Sequence, residues 1–155
     1  MELISSLGFN YNRLQELLVA KEWREADQET KLLMLKVGAR EEEGWLNTEH
    51  IQSFSCEDLK IIDQLWRENS NNHFGLSIQK RIWEDVGGMI GKLDTSAIYL
   101  KFCDRVGWRF AGDWVHYDEL IFSLQAPIGQ FPFQHYMTVY GGMSVLCSRL
   151  YSCKI

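Results

Sequence analysis

The sequence lacks several features that define common protein classes. Only 2 of its 155 residues are proline, and it shows neither an internal repeat nor a low-complexity linker, so we expect no division by a flexible segment. An excess of basic residues is also missing, because 16 lysine and arginine residues stand against 21 acidic ones, which gives a net charge of −5. Since nucleic-acid-binding domains usually present a basic surface, we expect no nucleic-acid partner.

Long apolar runs and secretion signals are absent as well. No stretch approaches the ~20 apolar residues that a transmembrane helix requires. The first six residues contain no basic segment of the kind that opens a signal peptide. The sequence therefore predicts a soluble, cytoplasmic protein.

The four cysteines form no CxxC pair, and their spacing fits neither a zinc site nor a dense disulfide framework. Only Cys147 and Cys153 lie near each other in the chain. We therefore expect buried or unreactive thiols in a reducing compartment.

Catalytic motifs are missing too. The four histidines are scattered, no serine lies in a GxSxG turn, and HExxH is absent. The two Gly-Gly pairs are not followed by the Lys-Ser/Thr pair of a phosphate-binding loop. These absences make an enzyme the weaker hypothesis.

What is present is a chain of ordinary globular composition, 46% hydrophobic and 24% charged, which is long enough to bury one core. Apolar residues recur at helical spacing, and this spacing predicts helices over residues 14–18, 23–37, 58–66, 74–86, 98–106 and 145–151. Ser55 is a candidate N-cap and Gly38 a helix end. The fold class is therefore all-α, with a single domain over residues 1–155.

Other segments are less regular. Residues 26–31 combine good helix formers with charges and are predicted to form the outer side of the second helix. Residues 89–97 are weakly patterned and predict a connection, whereas Leu120 to Leu124 resemble a short strand. Residues 131–137 form an aromatic loop.

Aromatic residues are the unusual component, because 6 Trp, 6 Tyr and 8 Phe are more than packing requires in a chain of this size. Trp66 and Trp83 lie on helical stripes and are expected in the core. The rings that follow Phe110 lie in loop-like sequence, where a ring either fills the core or lines a concave surface. A flat macrocycle and a partner protein would suit such a surface equally well.

Several runs of residues occur in a fixed order between residues 14 and 133. They are Leu14-x-x-Leu17-Leu18, Trp23-x-x-Ala26-Asp27-x-x-Thr30, Asp58-Leu59-x-x-Ile62-Asp63-x-Leu65-Trp66, Asn69-Ser70-Asn71-x-x-Phe74-Gly75-Leu76-Ser77-Ile78-Gln79-x-x-Ile82-Trp83, Val106-Gly107-Trp108-Arg109, Trp114, and Phe122-Ser123-Leu124-x-Ala126-Pro127-x-Gly129-x-x-Pro132. Together they resemble the genomes-uncoupled-four tetrapyrrole-binding family, of which the chain looks like a divergent member.

The resemblance implies a helical core shaped like a cupped hand, whose loop-rich palm binds protoporphyrin or Mg-protoporphyrin. Proteins of this type regulate or carry pigment in tetrapyrrole and chlorophyll biosynthesis, in photosynthetic organisms. They contact the large subunit of magnesium chelatase and have no catalytic activity of their own.

The resemblance also assigns ten residues to the tetrapyrrole-binding palm. They are Phe74, Leu76, Ile78, Tyr117, Phe122, Phe131, Phe133, His135, Met137 and Tyr140. His135 stands where family members can have Asn near the metal-facing side, which makes it a candidate axial ligand to a bound metalloporphyrin.

One departure from the family pattern concerns charge. The family carries arginines after this loop that suit the propionates of a porphyrin, whereas this chain has Thr138-Val139-Tyr140-Gly141-Gly142. A different pigment, such as an open-chain bilin, is therefore an alternative ligand. Such a bilin could also be attached covalently through Cys103, Cys147 or Cys153. A sensory or protein-interaction domain of the same fold, without chelatase activation, is the alternative function, and an enzyme acting on a tetrapyrrole is the third hypothesis.

Overall fold

The computed structural model of the chain describes residues 3–89, 96–137 and 142–155. This part of the chain contains seven α-helices and one two-stranded antiparallel sheet. The helices are α1 (Asn12–Val19), α2 (Trp23–Val37), α3 (Thr48–Gln52), α4 (Cys56–Asn69), α5 (Leu76–Asp85), α6 (Ser96–Val106) and α7 (Gly142–Ser152), and the strands are β1 (Arg109–Phe110) and β2 (Asp113–Trp114). The fold is mainly helical, as the sequence predicts.

Local signals in the sequence define several helix ends. The Ser55 hydroxyl accepts a hydrogen bond from the Asp58 N–H at 3.2 Å, which satisfies one of the free donors at the start of α4. Gly38 follows the last residue of α2, and α4 ends at Asn69, where the polar run 69–72 begins. The predicted cap, the helix end and all six predicted helices are confirmed.

The strand predicted over residues 120–124 is wrong. The backbone there forms local hydrogen bonds, as in a turn. The Ser123 N–H donates to the Ile121 carbonyl at 2.9 Å, and the Ala126 N–H donates to the Ser123 carbonyl at 3.1 Å. The Ile121 N–H instead donates to Oε1 of Gln130. A strand needs a neighbouring strand, and in the described residues only the short hairpin of β1 and β2 supplies one.

Four aromatic rings form the centre of the core between α2, α4, α5 and the loop that precedes residue 132. They are Trp23, Trp66, Phe74 and Phe131. Trp66 stacks on Phe131 with ring centroids 6.1 Å apart, and its indole N–H donates to the Thr30 hydroxyl at 2.9 Å. Trp66 and Trp83 are completely buried, which confirms their prediction as core residues.

The expected state of the cysteines is wrong for two of the four. Cys56, at the start of α4, and Cys153, just after α7, form a disulfide, with their Cα atoms 5.3 Å apart. These residues are separated by 97 positions in the sequence, and only the packing of the helices brings them together. Cys103 and Cys147 are free and buried, as expected.

No helix in the described ranges is long and apolar enough to cross a membrane.

Candidate functional site

A buried carboxylate joins α2 to two of the loops that follow α6. The Tyr117 hydroxyl donates to Oδ2 of Asp27 at 2.6 Å, and the Phe133 backbone N–H donates to Oδ1 at 2.8 Å. Asp27 is completely buried, so the prediction that residues 26–31 form the outer side of the helix is wrong at this position. Its spacing explains the burial, because Asp27 lies four residues after Trp23 and three before Thr30, on the apolar face of α2.

Four rings lie in contact at this site, and we refer to Tyr117, Phe122, Phe133 and His135 as the aromatic cluster. Tyr117 is at its centre, with ring centroids 5.5 Å from Phe122, 5.5 Å from Phe133 and 5.2 Å from His135. All four side chains are partly exposed, in contrast to the core rings. The cluster therefore offers apolar, planar surface at the molecule's exterior.

Burial controls the charges in this cluster. It raises the pKa of Asp27 to about 7, although hydrogen bonds from Tyr117 and Phe133 oppose the rise. It also raises the pKa of the Tyr117 phenol, which additionally faces the Asp27 carboxylate. The pKa of His135 is lowered to about 4 by burial and by the positive charge of Lys31, so the imidazole is neutral at pH 7.

The orientation of His135 bears on metal ligation. Its Nε2 atom lies 3.6 Å from Oδ2 of Asp27, is buried and has no hydrogen-bond partner in the described part of the chain. A metal ion cannot reach this nitrogen while the ring keeps its orientation. If His135 ligates a metalloporphyrin, the ligating atom in this conformation is therefore Nδ1.

Helix α2 brings positive charge to the aromatic cluster. The Arg24 guanidinium lies 5.5 Å from the Tyr117 ring centroid and 5.0 Å from that of Phe122, and it pairs with Asp118. Lys31 is close enough to His135 to lower its pKa. Neither these cations nor Asp27 is among the site residues predicted from the sequence, although their spacing along α2 indicates a common side for Arg24, Asp27 and Lys31.

The structure brings together only part of the predicted palm. Phe74, Leu76 and Phe131 are completely buried in the core, where they can support the cluster from behind. Ile78 lies on α5 and lines a separate groove. Tyr140 and the departure in residues 138–141 lie outside the described residues.

Met137 is the last predicted residue of this loop that the structure describes. It is half-buried and pairs with Leu46 in an isolated parallel bridge. The neighbouring Leu46 N–H donates to the Tyr136 carbonyl at 2.8 Å. The segment that carries Phe133 and His135 is therefore fixed at both ends, by Asp27 and by Leu46.

The cysteines considered for covalent attachment are poorly suited to it. Cys153 is part of the disulfide. Burial raises the pKa of Cys103 to about 12 and also raises that of Cys147, so both remain protonated thiols without exposed surface.

The helices have the arrangement of the GUN4 fold. The structure superimposes on that of GUN4 from Chlamydomonas reinhardtii with a TM-score of 0.76 and 26% sequence identity, covering 99% of this chain and 93% of the other. It also matches a ligand-free structure of Arabidopsis thaliana GUN4 with a TM-score of 0.68 and 25% identity, covering 90% and 93%. The GUN4-like family model matches residues 4–149, and the chain belongs to this family.

Relatives from photosynthetic organisms are similar in sequence. A Ycf53-like protein of Synechocystis is 30% identical over 133 residues, which cover 84% of this chain and 53% of the relative. The chloroplastic tetrapyrrole-binding protein of Arabidopsis thaliana is 30% identical over 96 residues, which cover 61% of this chain and 36% of the relative. The chain thus spans about half the length of the Synechocystis relative and less of the Arabidopsis one.

Proposed function

We propose that this chain is a non-catalytic tetrapyrrole-binding protein that regulates or carries pigment in tetrapyrrole and chlorophyll biosynthesis. Its membership of the GUN4-like family and its similarity to a protein named for tetrapyrrole binding support this function. The observation that carries the proposal is the aromatic cluster, in which three further rings lie within 5.5 Å of Tyr117 on a partly exposed surface. Such a surface suits the flat face of a macrocycle.

The proposed ligand is protoporphyrin or Mg-protoporphyrin, with an open-chain bilin as the alternative. Porphyrins and bilins both carry carboxylates. Arg24 and Lys31 would provide the positive charge for these groups that residues 138–142 lack. A magnesium porphyrin would add a metal centre that accepts an axial nitrogen, and the neutral imidazole of His135 fits this requirement through Nδ1. The ten residues assigned to the palm stay a prediction.

Pigment titration tests the proposal. Protoporphyrin, Mg-protoporphyrin and a bilin are added separately to the protein, and binding is followed by the pigment absorption band and by tryptophan quenching. We expect saturable binding of at least one pigment, weakened about tenfold by Phe133→Leu, because this change removes a ring but keeps the backbone bond to Asp27.

A matched control is available at Phe110, which is 78% exposed on the hairpin and lies outside the aromatic cluster. Phe110→Leu should leave the affinity unchanged. Unchanged spectra at pigment concentrations on the order of tens of micromolar would refute tetrapyrrole binding. Equal affinities for the Phe133 and Phe110 variants would refute the placement of the site.

A protein partner is the second part of the proposal, with the large subunit of magnesium chelatase as the partner. Phe110 and Trp114 support an interaction surface, because both are exposed on the β1–β2 hairpin, by 78% and 56%. A pull-down with the purified subunit, with and without pigment, tests this. Retention of the subunit without pigment, together with negative titrations, would favour a protein-interaction module instead.

The absence of catalysis and a cytoplasmic location are further parts of the proposal. Mass spectrometry of the recovered pigment tests the first, because an enzyme would convert it whereas a carrier returns it unchanged. Fluorescent tagging of the full-length protein in its host tests the second.

A further inference from the structure

A concave surface lies on α5, and none of the aromatic-cluster residues lines it. It is a groove of about 560 Å³, within the usual range for small-ligand sites. Its apolar lining consists of Ile78, Ile82, Pro127 and Ile128. We refer to this surface as the α5 groove.

One face of α5 forms the floor of the groove. Ile78, Arg81, Ile82 and Asp85 follow the i, i+3, i+4, i+7 spacing that places side chains on the same side of a helix. Arg105, near the end of α6, contributes a second guanidinium to the rim. The groove therefore combines an apolar floor with two cations and one carboxylate.

The two arginines distinguish this groove from the remaining surface. Arg24, Arg40, Arg67, Arg109 and Arg149 each have an acidic or carbonyl partner. Neither Arg81 nor Arg105 has a hydrogen bond or an ion pair within residues 3–89, 96–137 and 142–155. Of the other arginines in these ranges, only Arg13 also lacks both. Two of these three unpaired guanidinium groups thus face one groove.

The walls of the groove are preformed. Gln79 is completely buried, and its amide donates to the carbonyls of Gly129 at 2.9 Å and Pro132 at 2.7 Å. The Gly129 N–H in turn donates to the His73 carbonyl at 2.9 Å. Because these bonds attach Gly129 and Pro132 to α5 and to the segment before it, little conformational freedom is lost when a ligand enters.

We propose that the α5 groove binds a small amphipathic carboxylate, whose apolar body packs on the isoleucines and whose carboxylate pairs with Arg81 and Arg105. Charge complementarity supports this ligand class, because the two arginines and Asp85 give the groove a net charge of 2 − 1 = +1. Arginine is the side chain best suited to a carboxylate, which it binds through two parallel hydrogen bonds. The groove shares no residue with the aromatic cluster, and Ile78 is its one residue that belongs to the palm predicted from the sequence.

A dansyl-labelled fatty acid is a suitable probe, because its fluorescence rises in an apolar site and its methyl ester lacks the charge. We expect saturable binding of the acid and about tenfold weaker binding of the ester. Arg81→Gln and Arg105→Gln should each lower the affinity for the acid about tenfold and leave the affinity for the ester unchanged. Arg13→Gln is the matched control, because this arginine is equally unpaired but lies on α1.

The outcomes separate this proposal from the tetrapyrrole proposal. Binding of the acid that survives Phe133→Leu but not Arg81→Gln supports a separate groove, whether or not the original chain binds a pigment. Equal binding of acid and ester, or equal loss in the Arg13 and Arg81 variants, refutes carboxylate recognition in the groove. Loss of pigment binding in Arg81→Gln would show that the groove is the tetrapyrrole site itself and would overturn the proposal of a second site.

Discussion

Removal of the buried carboxyl of Asp27 should abolish the loss of stability that this group causes as the pH rises. Asp27→Asn is the most informative change, because Asn resembles a protonated carboxyl in shape. Its Oδ1 can accept from the Phe133 N–H as before, and its Nδ2 can donate to the Tyr117 hydroxyl oxygen, which reverses the direction of that bond. The variant therefore removes the ionisation while it preserves the contacts.

The expected magnitude follows from the pKa of Asp27, which is about 7 in the folded chain against an ordinary value of 3.8. Between these values the folded chain holds a proton that the unfolded chain has lost, so the free energy of unfolding falls as the pH rises. Below about pH 4 both states are protonated, and above about pH 7 both are ionised and the full cost of burying the charge is present. At about 1.4 kcal/mol per pH unit, the total loss is about 4 kcal/mol.

The titration of His135 has to be removed from the comparison, because it raises the free energy of unfolding as the pH rises, whereas that of Asp27 lowers it. The pKa of His135 is lowered from 6.5 to about 4, so the folded chain binds fewer protons than the unfolded one between these values, and stability rises with pH. His135→Asn places a residue there that does not titrate. The comparison is therefore His135→Asn against the double variant with Asp27→Asn.

Urea unfolding, followed by tryptophan fluorescence at several values between about pH 4.5 and about pH 7.5, provides the measurement. We expect the double variant to gain about 3 kcal/mol over the single variant across this range. If the difference between the two stays constant to within about 0.5 kcal/mol, the folded Asp27 titrates at its ordinary pKa, and the argument from burial is refuted.

Two further changes test the framework around the site. Reduction of the disulfide between Cys56 and Cys153 should lower the free energy of unfolding by about 2–5 kcal/mol, because the bond closes a long loop in the unfolded chain. In a control variant with both cysteines replaced by serine, the reductant should leave the free energy of unfolding unchanged. Equal stability with and without reductant in the original chain would contradict this. Gln79→Met should cost about 2–3 kcal/mol in urea unfolding, because it leaves two carbonyls in residues 129–132 without their donor, whereas Gln125→Met on the exposed surface should be nearly neutral. A cost below about 0.5 kcal/mol would show that other donors replace Gln79.

Helices were predictable from the sequence because their signals are local. Ser55 and Gly38 act on backbone groups within a few residues, and apolar spacing identifies one face of each helix without knowledge of what packs on it. The run from Leu120 to Leu124 was misassigned, since the pattern of a strand does not say whether a second strand is available.

The site was less predictable than the fold. The family resemblance predicts Tyr117, Phe122, Phe133 and His135 as site residues, and in the structure the last three rings all contact Tyr117. Asp27 was missed because a charged residue in a helix is ordinarily solvated, and nothing local shows that a tyrosine 90 residues away supplies its hydrogen bond.

The helical class, the family and the content of aromatic rings follow from the amino-acid sequence, because each depends on residue types and on spacings along the chain. The division of the rings between core and surface, the pairing of Cys56 with Cys153, and the shared groove of Arg81 and Arg105 become visible in the folded chain alone. These are contacts between residues far apart in the sequence, and their distances are set by how the helices pack rather than by any local preference.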